Sequence, residues 1–236
     1  MEINTEKARR ILDQARQAVR EQDYALALEH YEWFFDHALD EDQASLYGVR
    51  LSYCLDEWAQ VGEKYAPARA RLEQKRAESI QQLELTRQAK KFHDFIALCR
   101  YTGMPALPVQ QFLEYHRSDR ELAREIYTFI REQLMAAGQW EVCGAYIEDA
   151  DGQYAEALEL FDISIAYARK NASLGVDDME QRIEDMYVNK ATYLVTVLSH
   201  TRRTEEAQRI CERANQDMQQ RGLKEFLSVY PEDFEE

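Results

Sequence analysis

The chain has 236 residues, of which 45 % are apolar and 31 % charged, and a formal net charge of −15. That apolar share excludes general disorder, and the acidic balance argues against nonspecific binding to nucleic acid or anionic lipid, both of which are polyanions. With only 8 Gly and 4 Pro, the chain has too few breakers for a turn-rich sheet protein and reads as long helices.

The first helix is TEKARRILDQARQAVREQ, in which Ala8, Ile11, Leu12, Ala15 and Val19 recur at helical spacing. Asp23 caps a second helix that begins at Tyr24. At about 100° per residue its core face holds Tyr24, Ala27, Leu28, Tyr31, Phe34, Phe35 and Ala38. Trp33 falls about 200° from Tyr31, close to Leu26, His30 and His37. Either another helix of the same chain covers this second stripe or it is a partner surface, where tryptophan is a favoured anchor. A third helix covers about 44–61, with Leu51, Cys54, Leu55, Trp58 and Val61 on one side, and Gly62 ends it. A fourth starts near Pro67, which suits a first helical turn, and runs to about 88.

A short helix, FHDFIALCRYT, closes at Gly103, and the two prolines of MPALP make the strongest internal break. Gln110–His116 forms a short helix. Ser118-Asp119-Arg120-Glu121 reads as a capping box, opening a helix from 119 to about 137 that Gly138 ends. Beyond Trp140–Asp149 and a turn at Asp151–Gly152, a helix over 153–171 keeps Tyr154, Ala157, Leu158, Phe161, Ile165 and Ala168 in register. The polar loop NASLGVDD, with Asp177 or Asp178 as cap, leads into a helix over 179–200. Its core face carries Ile183, Met186, Tyr187, Tyr193, Leu194, Val197 and Leu198. Thr204 caps the last helix and Gly222 terminates it. The break near 103 divides the chain into halves 1–103 and 104–222, followed by an acidic tail, 223–236.

Charge is uneven along the chain. Residues 63–103 hold nine Lys/Arg against five acids, a local +4. This window reads as a solvated helix face or as a docking surface for an acidic segment, such as the tail of another copy. The four cysteines, Cys54, Cys99, Cys143 and Cys211, include no CxxC pair. They read as buried thiols of a cytoplasmic protein rather than as a metal or disulfide set. No apolar run approaches the roughly 20 residues that span a bilayer, and MEINTEKARR lacks the apolar core of a secretory signal.

No catalytic signature is found. GxGxxG, GxxxxGK[ST] and GxSxG are all missing. His93–Asp94 and His116 read as surface or capping groups. His30 and His37 lie two turns apart, about 10 Å along the helix axis, too far for one metal without further ligands. Asp149-Ala-Asp151-Gly152 looks like part of a calcium loop, but aligning its glycine puts Ile147 and Leu158 at ligand positions. No metal or cofactor is therefore expected.

Helices of about 12–22 residues joined by short turns predict an all-α antiparallel helix-pair array of about 10–11 helices, with an irregular middle. The segment A-x-x-A-x-x-x-x-D-Y-x-x-A-L-x-x-Y-x-x-F, Ala15 to Phe34, resembles the tetratricopeptide repeat, in which small residues let paired helices approach closely. Gly152-Gln-Tyr154-Ala-Glu-Ala157-Leu158-Glu-Leu-Phe161 is similar to its second helix. Weaker versions begin at Gly62, Gly138 and Arg203, whereas 89–118 does not fit. The resemblance implies a groove that holds a peptide or protein segment. One version of the family clamps an acidic chaperone tail with Lys and Asn in the first helix of its first repeat, where this chain has Leu12 and Arg16. By charge, a basic or apolar ligand suits the chain better.

The expected function is a non-enzymatic protein- or peptide-binding scaffold, with Arg16 and Tyr47 as candidates for a groove. Leu26, His30, Trp33 and His37 are candidates for a lateral surface. The alternatives are an acidic regulatory or immunity-type protein that masks a basic target, a structural homo-oligomer, and an enzyme whose residues are not grouped in sequence.

Overall fold

The computed structural model describes residues 2–40, 44–170, 178–224 and 227–228. Among the described residues there are twelve α-helices, one short 3-10 turn and no strand, so the fold is all-α. The helices are α1 (Glu2–Arg20), α2 (Tyr24–His37), α3 (Tyr47–Leu51), α4 (Tyr53–Lys64), α5 (Ala66–Thr86) and α6 (Lys90–Tyr101), followed by α7 (Leu107–Ser118), α8 (Arg120–Ala136), α9 (Trp140–Gly144), α10 (Ala150–Lys170), α11 (Met179–His200) and α12 (Thr204–Arg221). The chain divides into two compact units, 1–130 and 131–236, and the division falls inside α8 rather than at Gly103. The prolines of MPALP end a helix without ending a unit, because α7 packs back on α6.

In the first unit the small residues Ala8, Ala15 and Ala18 of α1 are buried in one cluster with Ala27, Tyr31, Phe34 and Phe35 of α2. Their size allows the backbones to come close, and the three-residue link reverses the chain. Asp23 caps α2 as expected, its carboxylate accepting from Leu26 N at 3.1 Å. The expected third helix is in fact three pieces: a 3-10 turn at Ala44–Leu46, then α3, then α4. Ser52, at φ −117° and ψ −88°, breaks the helical path. Arg50 is thereby turned inward, where its Nε donates to Phe35 O at 2.6 Å.

Gly62 does not end α4, which continues to Lys64. A Cβ at Gly62 would lie 3.2 Å from Arg69 Cα, so the glycine serves the close crossing of α4 and α5. Trp58 is fully buried beside that crossing and donates from Nε1 to Ala68 O at 3.0 Å. Pro67 lies in the first turn of α5 as expected.

Three capping expectations are corrected. Asp119 takes the cap of α8, its Oδ1 accepting from Leu122 N at 3.1 Å, whereas Ser118 Oγ donates back to Glu114 O at 2.8 Å within α7. Asp151 and Gly152 lie inside the first turn of α10. Asp149 is the capping residue there, accepting from Gly152 N at 2.9 Å. Thr204 is the first residue of α12 and not its cap. Arg203 precedes it and donates from Nη1 to Ile147 O at 2.6 Å. Asp178 precedes α11 without a side-chain cap bond, and Asp177 lies outside the described residues. Gly222, at φ +72°, ends α12 as expected.

The basic window finds its acids largely at home. Arg71 pairs with Glu32 of α2 and with Glu78, and Lys75 Nζ sits 2.6 Å from Asp36 Oδ2, also of α2. These contacts tie α5 to α2. In the second unit, Tyr154, Ile165, Tyr187, Leu194, Leu198, Ile210 and Met218 are buried, and α11 packs against both α10 and α12. Of the tail, Leu227 is held at both main-chain polar atoms by Asn215. It donates to Asn215 Oδ1 at 2.7 Å, and its carbonyl accepts from Nδ2 at 2.9 Å.

Candidate functional site

The two groove candidates do not share a cleft. Arg16 Nη2 lies 2.9 Å from Glu57 Oε1, and Nη1 lies 3.0 Å from Asp13. Glu57 also accepts from Tyr31 OH at 3.2 Å, so Arg16 ties α1 to α4. Its cleft of about 170 Å³ includes Tyr24, Gln60 and Lys64 but not Tyr47. Tyr47 instead meets His93 Nδ1 at 2.8 Å, and the His93 ring stacks on Phe129 with centroids 5.0 Å apart. Burial lowers the His93 pKa, with the Asp94 charge opposing it and Arg50 reinforcing it. Asp94 is held by Arg50 through a hydrogen bond to each carboxylate oxygen and is not hydrogen-bonded to His93.

The lateral candidates do lie on one stripe. Trp33 is half-buried against the core of its unit. The Lys7 ammonium sits 4.9 Å from its ring centroid, and the His37 ring is 5.2 Å away. So α1 partly covers the ring that the sequence left unplaced. Leu26 is 39 % exposed, His30 is half-buried, and His37 is exposed with Nδ1 3.0 Å from Asp40. Only Leu26 remains as open apolar surface.

A larger opening lies in the second unit. Leu160, Ile163 and Tyr167 of α10 and Met186 of α11 are 58–65 % exposed, and they make up four of the eight large exposed apolar side chains among the described residues. The first three follow helical spacing i, i+3, i+7 and form one row. Leu160 and Met186 flank an open groove of about 570 Å³ between α10 and α11, floored by Ala157, Phe161, Ile183 and Tyr187.

The floor of the groove is fixed by polar contacts. The Phe161 and Tyr187 rings pack with centroids 5.0 Å apart. Tyr187 OH lies 2.6 Å from Tyr154 OH, which donates to Asp217 Oδ2 of α12 at 2.8 Å. Arg221 then bridges Asp217 and Asp162, at 3.1 and 2.7 Å. Burial, joined by the bonds to Tyr187 and Asp217, pushes the Tyr154 hydroxyl well above the usual phenol range. It therefore stays protonated and available as a donor. This chain of bonds locks α10, α11 and α12 together beneath the groove.

At one end of the groove stand Lys190 and Arg131. The Lys190 Nζ and the Arg131 guanidinium carbon lie 5.0 and 5.2 Å from the Tyr193 ring centroid. Lys190 Nζ donates to Gln153 Oε1 at 3.3 Å. Burial lowers the Lys190 pKa, the Arg131 charge lowers it further, and Glu156 opposes them.

Sequence reasoning missed this groove for a definable reason. Leu160, Ile163 and Tyr167 fall between the core positions of α10, and Met186, which periodicity places on the core face of α11, is 65 % exposed. A second apolar row on a helix whose first row is already complete was the available signal. Among the described residues, no group of three or more His, Cys, Asp or Glu could hold a metal ion, and no helix is long and apolar enough to cross a membrane. Comparison with family models, with curated proteins and with solved structures gives no match to the chain.

Proposed function

We propose that the chain is a non-enzymatic, tetratricopeptide-like scaffold of the cytoplasm that binds a protein or peptide segment in the α10–α11 groove. The observation that carries this reading is the open groove of about 570 Å³ flanked by Leu160 and Met186 on a rigid floor. Fully covering a side chain of that size contributes ~1.5–3 kcal/mol. A groove fixed before binding limits the ordering that association would otherwise cost. Four buried, unbridged cysteines suit a reducing compartment.

The test is selection of binders by the purified protein from a displayed peptide library. Peptides with two or more large apolar side chains at helical or alternate spacing are expected to be enriched. Leu160→Asp and Met186→Asp should each abolish their binding while leaving the melting temperature unchanged, because both positions face water. Failure to enrich any sequence, or selective turnover of a metabolite by the pure protein, would contradict the scaffold reading.

A second reading is favoured by Ile163 and Tyr167, which extend the apolar row along α10 and are not part of the groove lining. A homo-oligomer built on that row would lose mass in light scattering on Tyr167→Lys. A wild-type monomer at all concentrations would exclude it.

A further inference from the structure

The groove has a cationic end and an apolar end. Lys190 and Arg131 are both half-buried, each lies about 5 Å from the Tyr193 ring centroid, and neither forms an ion pair with any described residue. Other half-buried cations of the second unit are matched: Arg203 with Glu206 at 2.6 Å, and Arg221 with Asp162 at 2.7 Å. Glu132 and Glu156 are exposed at the groove rim and form no ion pair with either cation, and the Glu156 charge only partly offsets the effect of burial and of Arg131 on Lys190. Two like charges gathered on one ring and partly removed from water are each destabilised, and an inserted anion relieves both the repulsion and the unmatched desolvation. Met186 precedes Lys190 by four residues on the same helix, about 6 Å along its axis, so the cationic end and the apolar end are one turn apart.

We infer that the segment bound in this groove places a carboxylate between Arg131 and Lys190 and sets large apolar side chains against Leu160 and Met186, one to two helical turns away. This rests on the reading of the groove as a peptide site, and it names the acid that the site requires. The chain's net charge of −15 repels an acidic ligand at long range. Added salt is therefore expected to speed association, whereas a basic ligand would associate more slowly.

The experiment starts from the peptides selected above, read by fluorescence anisotropy against wild type, the double variant Arg131→Gln/Lys190→Gln, and Leu160→Asp. The selected peptides are expected to share an Asp or Glu three to eight residues from their apolar pair. Changing that acid to its amide should weaken binding to wild type about tenfold or more and change binding to the double variant by less than about twofold, as for two sides of one contact. If peptides without the acid bind equally well, or the double variant binds as wild type does while Leu160→Asp abolishes binding, the acid inference falls and the peptide groove stands. If no peptide is enriched, both fall. A parallel arm titrates dodecanoate. Binding that depends on Arg131 and Lys190, with no peptide selected, would give the cationic end to a fatty amphiphile and overturn the inference. Circular dichroism melts check that each variant is folded. If the double variant is not, the single changes Arg131→Gln and Lys190→Met, which keeps the aliphatic stem, are read in the same cycle.

Discussion

Arg50 and Asp94 hold one another through two parallel hydrogen bonds, Nη1–Oδ1 at 2.6 Å and Nη2–Oδ2 at 2.8 Å, with each side chain only 6 % exposed. The same guanidinium lies 4.0 Å from the Phe35 ring centroid and donates to Phe35 O. One cation thus joins α2, α3 and α6 beside the break at Ser52.

Removing one member of such a pair strands the other in a buried site, at a cost of about 3–5 kcal/mol. Asp94→Asn and Arg50→Met should each destabilise the first unit by roughly that amount, read by urea unfolding through tryptophan fluorescence, to which Trp33 and Trp58 of that unit contribute. The double change Arg50→Met/Asp94→Asn should lose less than the sum of the singles. Additive losses would show that the pair does not act as a unit.

Gly144 and Thr201 make a second tight contact, since a Cβ on Gly144 would lie 2.7 Å from Thr201 Cγ2. Gly144→Ala should cost about 1–3 kcal/mol through overpacking. Thr201→Ser deletes the offending methyl and keeps the hydroxyl that donates to Val197 O at 2.8 Å, so it should restore most of the loss. Thermal melts of the single and double variants decide this, and no rescue by Ser would place the strain elsewhere.

The four cysteines are buried and unbridged. Burial pushes the Cys99 thiol up to about 12 and Cys54 higher still, so both remain protonated thiols at pH 8 and poor nucleophiles. The native protein should react negligibly with a disulfide reagent over minutes and release four equivalents once unfolded. A fast stoichiometric reaction in the native state would contradict the burial.

Glu32 supplies a pH dependence whose sign is fixed. Burial works to raise its pKa, but the hydrogen bond from Arg71 and the charge of Lys75 outweigh it, and the net shift is downward from 4.5. A depressed folded-state pKa contributes stability above pH 4.5 that is lost as pH falls through the folded value. Glu32→Gln should therefore cost up to about 1 kcal/mol at pH 7, a modest figure because the pair is partly solvated. The difference from wild type should be smaller at pH 3 than at pH 7. A cost that is the same at both pH values would mean a packing effect instead.

Periodicity made the helices legible, because each core row is set by 3.6 residues per turn and by little else. Tyr31, Phe34 and Phe35 are buried as their spacing requires. What it could not reveal were effects set by partners distant in sequence. The inward turn of Arg50 depends on Asp94, 44 residues away. The cap of α8 went to Asp119, which immediately precedes the helix and accepts from Leu122 N, while Ser118 bonded backwards to Glu114 O. The site was less legible than the fold. Arg16 and Tyr47 are engaged by Glu57 and His93, and the groove arises from where α11 lies against α10, which leaves a second apolar row uncovered.

The most direct measurement of the central claim is site-specific photo-crosslinking with a selected peptide. A photoreactive phenylalanine replaces Met186 in the groove, and in a control chain it replaces Tyr53, which is equally open at 64 % exposure but in the other unit. Binding in the groove predicts covalent capture at position 186, competed away by unlabelled peptide, and none at position 53. Equal capture at both positions, or capture at 53 alone, would contradict the assignment of binding to the α10–α11 groove.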